Sequence, residues 1–184
     1  MINSGSSSLK FSVLNPESEQ LLATGIAERL GTELASLSIT DLDGEKRREE
    51  IQHADHRKAL LRIIDILEKT GPFGVKAVGH RVVHGGEDFR ESTLITEKIL
   101  LRIEELAELA PLHNPAAAQG IRIATELFPG KPQIAVFDTA FHQTLPPYAF
   151  HYAIPHEYYE KYRFRKYGFH GTSHHFVVCK VPKS

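Results

Sequence analysis

The stretch MINSGSSSLKFSVL, residues 1–14, decides how the chain begins to fold. A run rich in Gly and Ser is typical of a disordered end, since it buries too little apolar surface to offset the entropy of ordering. Residues 9–13, however, alternate apolar and polar side chains, and this is the period of a half-buried strand. The stretch therefore predicts a turn over the serines that leads directly into a β-strand.

The composition restricts the class of protein. The 184 residues include 22 Lys and Arg against 23 Asp and Glu, so there is no charge excess to attract a nucleic acid or an anionic membrane. No apolar run approaches the length of a membrane span. The single cysteine, Cys179, excludes an intramolecular disulfide and fits a reducing compartment. The sequence therefore predicts a cytoplasmic globular protein without nucleic-acid or membrane partners.

Beyond the first strand, short strand patterns give way to alternating helix and strand patterns. Strands are predicted over residues 25–30, 34–39, 75–83 and 133–137, with a turn at 41–44 and a charged segment at 45–50. Leading strands followed by alternating helix and strand predict an α/β fold with a mixed sheet.

Three helices have recognisable start signals. Asp55, Thr96 and Asn114 are predicted caps, and Pro115 suits the first helical position. The predicted inward faces are Leu60, Ile63, Ile64 and Leu67 in the first helix, and Ile99, Leu100, Ile103, Leu106 and Leu109 in the second. The predicted helix ends lie at Gly71-Pro72, at Pro111 and before Pro129-Gly130.

The opening turn is the first candidate for chemistry. The pattern GxxxxGK[ST] is absent, and a strand follows instead of the helix whose amino end such a loop requires. A tight turn between strands can also hold phosphate through backbone N–H groups, serine hydroxyls and the nearby Lys10. A solvated hairpin turn accounts for the same residues equally well.

Two charged residues lie near the ends of predicted buried strands. Arg81, in GHRVVHGG, can bind a carboxylate or phosphate bidentately, and the glycines let the backbone approach closely. Asp138 follows the strand over residues 133–137, at the carboxyl end where open α/β sheets place ligands. The alternatives are an arginine paired with a surface acid and an aspartate that only caps the next turn.

Histidines lie beside two predicted helix starts. His113 directly precedes Asn114, where the amino end of a helix suits an anion, although a bystander role is at least as well supported. His170 and His174 are four residues apart, a spacing open to metal ligation, but HExxH and a cysteine cluster are missing. A glycine-flanked histidine at a helix start fits an electrophilic role better. With the turn, Arg81 and Asp138, these histidines indicate phosphoryl transfer.

Five segments together resemble the acetate kinase family, in its order and at its spacing. They are NSGSSSLK at residues 3–10, GHRVVHGG at 79–86, APLHNP at 110–115, FDTAFH at 137–142 and YGFHGTSH at 167–174. The resemblance implies the fold of the acetate and sugar kinase, Hsc70 and actin superfamily, in which two RNase H-like domains close on a nucleotide. Residues 1–146 would form the N-terminal domain, and residues 147–184 would begin the C-terminal nucleotide-binding domain.

The resemblance also implies cofactors for the opening segment. Asn3 would help to hold Mg2+, while Ser6, Ser8 and Lys10 would line the phosphate and ATP side of the site. ATP or ADP would be the co-substrate.

The other segments are implied to handle the acyl phosphate. Arg81 would bind the substrate carboxylate, and His113 and His170 would stabilise charge on the transferring phosphoryl group. Asp138 would be the catalytic carboxylate, orienting groups rather than removing a proton. The implied reaction is reversible, Mg2+-dependent phosphoryl transfer from ATP to acetate, giving acetyl phosphate and ADP.

The chain also departs from the family pattern. Family members are far longer and form homodimers, and their adenosine-binding motifs lie beyond residue 184. Only Met1 and Ile2 precede the first asparagine, so a clipped first strand is expected. We therefore expect little or no activity from this chain alone. The alternatives are a propionate or butyrate kinase and a non-catalytic remnant.

Overall fold

The computed structural model describes residues 1–70 and 74–181, and within these ranges one mixed sheet packs against helices. Its strands are β1 (Ile2–Ser4), β2 (Ser8–Leu14), β3 (Leu21–Glu28), β4 (Ser36–Thr40), β5 (Lys46–Glu50), β6 (Val78–Val82), β7 (Thr93–Leu94) and β8 (Gln133–Phe137). Its helices are α1 (His56–Thr70), α2 (Glu97–Glu105), α3 (Asn114–Leu127), α4 (Pro147–Phe150), α5 (Glu157–Tyr162) and α6 (Gly171–Lys180).

The strand order in the sheet is β5-β4-β3-β2-β1-β6-β8-β7. The first five strands form an antiparallel meander, whereas β1, β6 and β8 run parallel to one another and β7 adds an antiparallel edge. The predicted α/β fold with a mixed sheet is thereby confirmed. Because β1, β6 and β8 are parallel, their carboxyl ends meet at one edge of the sheet, where such sheets bind ligands.

The two faces of the sheet differ in character. One face is apolar, with buried side chains such as Leu9, Val82 and Phe137, and α1, α2 and α3 cover it. Gly120 of α3 permits close packing on β1, since a Cβ there would lie 2.7 Å from the Cβ of Ser4. The alternate residues of the strands point to the opposite face, which carries polar side chains such as Asn3, Lys10 and Arg81.

Several predicted strand boundaries were wrong, for reasons outside local pattern. Residues 45–50, predicted only as a charged segment, form β5 because the backbone pairs with β4 along its whole length. The strand predicted over 25–30 begins instead at Leu21. The backbone N–H of Asn15 donates to the carbonyl of Gln20 and closes the turn between β2 and β3, so pairing with β2 starts directly after that turn. The strand predicted over 75–83 is limited to Val78–Val82, the part that pairs with β8.

Two of the predicted helix caps are present in the structure. Asp55 Oδ1 accepts from the Lys58 N–H at 2.8 Å, and Thr96 Oγ1 accepts from the Ile99 N–H at 3.3 Å, so both caps are confirmed. The inward placement of Leu109 was wrong, because α2 ends at Glu105 and this side chain lies in the exposed turn beyond it.

Two further predictions concern the ends of the helices. The stop predicted at Gly71-Pro72 falls outside the described residues, whereas α3 ends at Leu127, close to the predicted end before Pro129. In the described part of the chain, no helix is long and apolar enough to cross a membrane.

Candidate active site

An ion pair between Arg81 and Asp138 lies at the carboxyl ends of β6 and β8. The guanidinium Nε donates to Asp138 Oδ1 at 3.0 Å and Nη2 donates to Oδ2 at 2.6 Å, which is bidentate geometry. These hydrogen bonds raise the pKa of Arg81, which therefore stays charged. Asp138 is only 2% exposed, whereas the Arg81 side chain is 37% exposed and can reach a ligand.

His170 lies beside this ion pair because of an unusual backbone. Its φ of +55° is in the left-handed region, and the following Gly171 N–H donates to the carbonyl of Asp138 at 2.8 Å. A Cβ on Gly171 would lie 2.4 Å from that carbonyl oxygen, so this close approach requires glycine. The result places His170 Nδ1 3.5 Å from Arg81 Nη2. Arginine can only donate, so Nδ1 is the acceptor and a neutral ring carries its proton on Nε2.

The opening turn is an ordered hairpin between β1 and β2. The Gly5 N–H donates to the Ser8 carbonyl at 2.8 Å, and His56 Nε2 donates to the Gly5 carbonyl at 2.7 Å, which fixes the turn to α1. Ser6 is exposed at the tip and Ser8 is half-buried. The turn predicted from the sequence is therefore confirmed, and it exposes Ser6 and Ser7 to solvent.

The hairpin and the ion pair share the polar face of the sheet. Asn3 and Lys10 are register partners on β1 and β2, so their side chains project to the same side. Ile2 lies opposite His80 in the parallel pairing of β1 and β6, and one residue further along each strand Asn3 lies alongside Arg81. This arrangement forms a polar row that runs from Lys10 through Asn3 and Arg81 to Asp138.

His113 does not share the hydrogen bonds that join Arg81, Asp138 and His170. It lies exposed at the amino end of α3, with its backbone N–H donating to the carbonyl of Ala110 at 3.1 Å. Among the described residues, its ring forms no hydrogen bond with Arg81, Asp138 or His170.

Asn114 is not the helix cap that the sequence predicts. It is the first residue of α3, it is fully buried, and its side-chain amide bonds to the backbone of His84. The cap position belongs to His113, whose side chain makes no capping bond. Local pattern could not reveal this role, because the partner lies 30 residues away in sequence.

The sequence did not predict the buried contact between Glu87 and Arg165. Arg165 Nη1 donates to Glu87 Oε1 at 2.7 Å, the Tyr159 hydroxyl donates to the same oxygen at 2.9 Å, and the guanidinium lies 3.7 Å from the centre of the Phe150 ring. Burial, with the charge of Glu87 as a further cause, raises the pKa of nearby Tyr167 to about 12. These contacts dock the segment before His170 onto the loop that follows β6.

The side chains present do not form a magnesium site on their own. Within residues 1–70 and 74–181, there is no group of three or more His, Cys, Asp or Glu side chains that could hold a metal ion. Mg2+ prefers carboxylate and phosphate oxygens in octahedral geometry. Both oxygens of Asp138 accept from Arg81, and Asn3 offers a single amide oxygen. No catalytic step is therefore assigned to the ion.

The mixed sheet, with an ion pair at the carboxyl ends of the parallel strands β6 and β8, defines an α/β domain of the RNase H-like, actin-like ATPase class. Two solved structures share this fold and confirm the predicted class. The propionate kinase from Francisella tularensis aligns with a TM-score of 0.91 at 44% identity, covering 96% of this chain and 46% of that one. The acetate kinase of Porphyromonas gingivalis aligns with a TM-score of 0.91 at 41% identity, covering 97% and 46%.

The chain belongs to the acetokinase family, whose model matches residues 1–184. The acetate kinase of Halothermothrix orenii is 51% identical over 100% of this chain, which corresponds to 48% of that protein. The chain thus spans about half the length of the curated relatives it matches. The family assignment made from the five sequence segments is confirmed.

Proposed function

We propose that this chain forms the acyl-phosphate side of an acetate kinase, which transfers a phosphoryl group reversibly between ATP and acetate. The observation that carries the proposal is the bidentate Arg81–Asp138 pair with His170 Nδ1 3.5 Å from the same guanidinium. Three groups suited to an anionic substrate thus meet at the ligand-binding edge of the sheet, in a chain of the acetokinase family.

Arg81 binds the substrate in this proposal. Its hydrogen bonds to Asp138 and His170 use Nε and Nη2, so Nη1 is the donor directed to a carboxylate or an acyl phosphate. Acetate is already ionised at neutral pH, and its oxygen attacks the terminal phosphorus of ATP while the bond to ADP breaks. No proton has to be removed, so Asp138 orients Arg81 rather than acting as a base.

The two histidines stabilise the charge that develops during transfer. With Nδ1 of His170 facing Arg81, its Nε2–H is available to donate to an oxygen of the transferring phosphoryl group. His113 contributes from the exposed amino end of α3, a position that favours anions. Both roles are charge stabilisation, which together with positioning supplies most of the catalysis in phosphoryl transfer.

The hairpin serves the nucleotide side. Ser6, Ser8 and Lys10 are proposed to line the ATP phosphates, and Asn3 is proposed as one oxygen ligand of the Mg2+ that accompanies them. The anchored turn supports this reading, because the bonds to Gly5 hold its backbone in place. The domain boundary after residue 146, the homodimer and the cytoplasmic location stay predictions of the family resemblance.

A binding experiment with the 184-residue chain tests the proposal. Acetyl phosphate is titrated into wild type, Arg81→Ala and the control Arg57→Ala, which removes an exposed arginine from the helix-covered side. We expect Arg81→Ala to weaken binding by about ten- to a hundredfold, the equivalent of losing charge-assisted hydrogen bonds. Equal binding by Arg81→Ala and Arg57→Ala would contradict the proposed site.

A rate measurement separates an active enzyme from a non-catalytic remnant. ATP formation from acetyl phosphate and Mg-ADP is compared between the chain and Arg81→Ala. We expect no rate above the variant, because the chain covers about half of its relatives. A rate that Arg81→Ala abolishes would mean that these residues assemble a working site.

A second candidate function differs in the length of the acyl chain in the substrate, because the Francisella tularensis neighbour is a propionate kinase. Titration of propionyl and butyryl phosphate beside acetyl phosphate decides it. Tighter binding of a longer acyl phosphate would replace the acetate proposal with a propionate or butyrate kinase.

A further inference from the structure

Asn114 makes a dense set of hydrogen bonds for a residue with no exposed surface. Its Oδ1 accepts from the His84 N–H at 3.2 Å, and its Nδ2 donates to the His84 carbonyl at 2.9 Å and to the Ile103 carbonyl at 3.3 Å. The side-chain amide therefore pairs with both backbone groups of one distant residue, as a neighbouring strand would. This contact fastens the amino end of α3 to the loop after β6.

The same loop is tied to the segment that follows Asp138. The Gly85 N–H donates to Thr139 Oγ1 at 2.9 Å, and Gln143 Nε2 donates to the Gly86 carbonyl at 2.7 Å. A Cβ on Gly85 would lie 3.0 Å from the ring of Phe137, so the loop packs closely on the end of β8. The loop therefore has a defined position relative to both strands that supply the ion pair.

The ring of His84 extends these contacts to the segment that carries His170. The Gly86 N–H donates to His84 Nδ1 at 3.0 Å, so Nδ1 is unprotonated and the buried ring is neutral. Burial also lowers the pKa of His84, which favours the same neutral ring. The ring meets Tyr167 edge-on at 4.5 Å and Phe169 edge-on at 5.7 Å between centroids.

We propose that His84 and Asn114 are positioning residues that fix Arg81, His113 and His170 relative to one another. Arg81 lies near the end of β6, three residues before His84 in the following loop, and His113 directly precedes Asn114. Phe169, which rests on the His84 ring, directly precedes His170. His84 and Asn114 together thus hold three separate segments in place. The relevance of this inference to catalysis rests on the proposed function.

The test uses the side-chain amides of Asn114 and Gln133. Asn114→Leu removes all three hydrogen bonds, whereas the control Gln133→Leu removes another buried amide, which bonds His80 on the helix-covered face. The readout is the long-range 1H–15N spectrum of the histidine rings in the labelled 184-residue chain. We expect Asn114→Leu to shift the signals of His113 and His170, and Gln133→Leu to leave both unchanged.

Affinity for acetyl phosphate gives a second readout on the same proteins. We expect Asn114→Leu to bind about tenfold more weakly than wild type, and Gln133→Leu to bind equally well. If wild type does not bind acetyl phosphate, the proposed function fails, while the ring spectra still decide whether His84 and Asn114 position the site.

A second variant guards against an Asn114→Leu protein that does not fold. His84→Phe keeps a ring against Tyr167 and Phe169 but loses the Nδ1 acceptor, so the His170 signal is expected to move. Circular dichroism identifies the folded variants. The inference is overturned if a folded Asn114→Leu or His84→Phe keeps the wild-type His113 and His170 signals. It is equally overturned if Gln133→Leu shifts them as much.

Discussion

The buried histidine of β6 gives a quantitative prediction about stability and pH. His80 is 2% exposed, and its Nε2 donates to Gln133 Oε1 at 2.7 Å. Burial lowers its pKa to about 4, from 6.5 for the unfolded chain. Between these two values the unfolded state binds more protons than the folded state, so stability falls as the pH falls through this window.

The size of the effect follows from the two pKa values. The full gap corresponds to about 3 kcal/mol, reached only below pH 4. Between pH 7 and pH 5, the protonation of His80 in the unfolded state removes about 2 kcal/mol of the free energy of unfolding. His80→Leu removes this dependence, while the contributions of every other titrating group remain and cancel in the comparison.

The assay is urea unfolding followed by far-UV circular dichroism at pH 7 and pH 5. Wild type is expected to lose about 2 kcal/mol more than His80→Leu on acidification. Gln133→Leu is the matched control, because it removes the hydrogen-bond partner of His80 but keeps the imidazole, and it is expected to lose as much stability as wild type between pH 7 and pH 5. Equal losses in wild type and His80→Leu would refute the reasoning.

Two further predictions concern the supports of the site. Gly171→Ala is expected to weaken acetyl phosphate binding about tenfold, since the new Cβ would lie 2.4 Å from a backbone carbonyl oxygen and must displace the site histidine. Gly74→Ala, where a Cβ meets open space, should bind like wild type in the same titration. Arg165→Met is expected to lower the free energy of unfolding by about 2 kcal/mol, because a buried charge-assisted hydrogen bond to Glu87 is lost while the Tyr159 hydroxyl still donates to that carboxylate. Arg57→Met breaks an exposed pair and should cost about 0.5 kcal/mol or less in urea unfolding; equal costs would contradict the burial argument.

Much of the fold was predictable because its signals are local. Alternation over residues 9–13 predicted β2, and the side chains of Asp55 and Thr96 predicted the starts of α1 and α2. Gln133–Phe137 is a short apolar run, and the strand was correctly predicted to end just before Asp138. Each of these depends on side-chain period or on bonds within four residues, which a sequence displays directly.

The site was predictable only in part. Arg81, Asp138 and His170 could be proposed one by one from strand ends and glycine-flanked positions, and the family resemblance joined them. Their ion pair and the 3.5 Å approach of His170 follow from a parallel register and a left-handed residue, and neither is encoded within a short window. The polar row across β2, β1, β6 and β8 depends in the same way on strand order.

The sequence by itself determined the family, the alternation of strands and helices, and the chemical groups available for phosphoryl transfer. The tertiary structure alone decided which polar groups are buried and what they bond. The sequence predicts Asn114 as a helix cap, but in the structure it is a buried partner of His84. The charged segment at 45–50 forms an edge strand. The physical reason is that burial and backbone pairing depend on partners far apart in the chain, whose positions are set only when the whole sheet assembles.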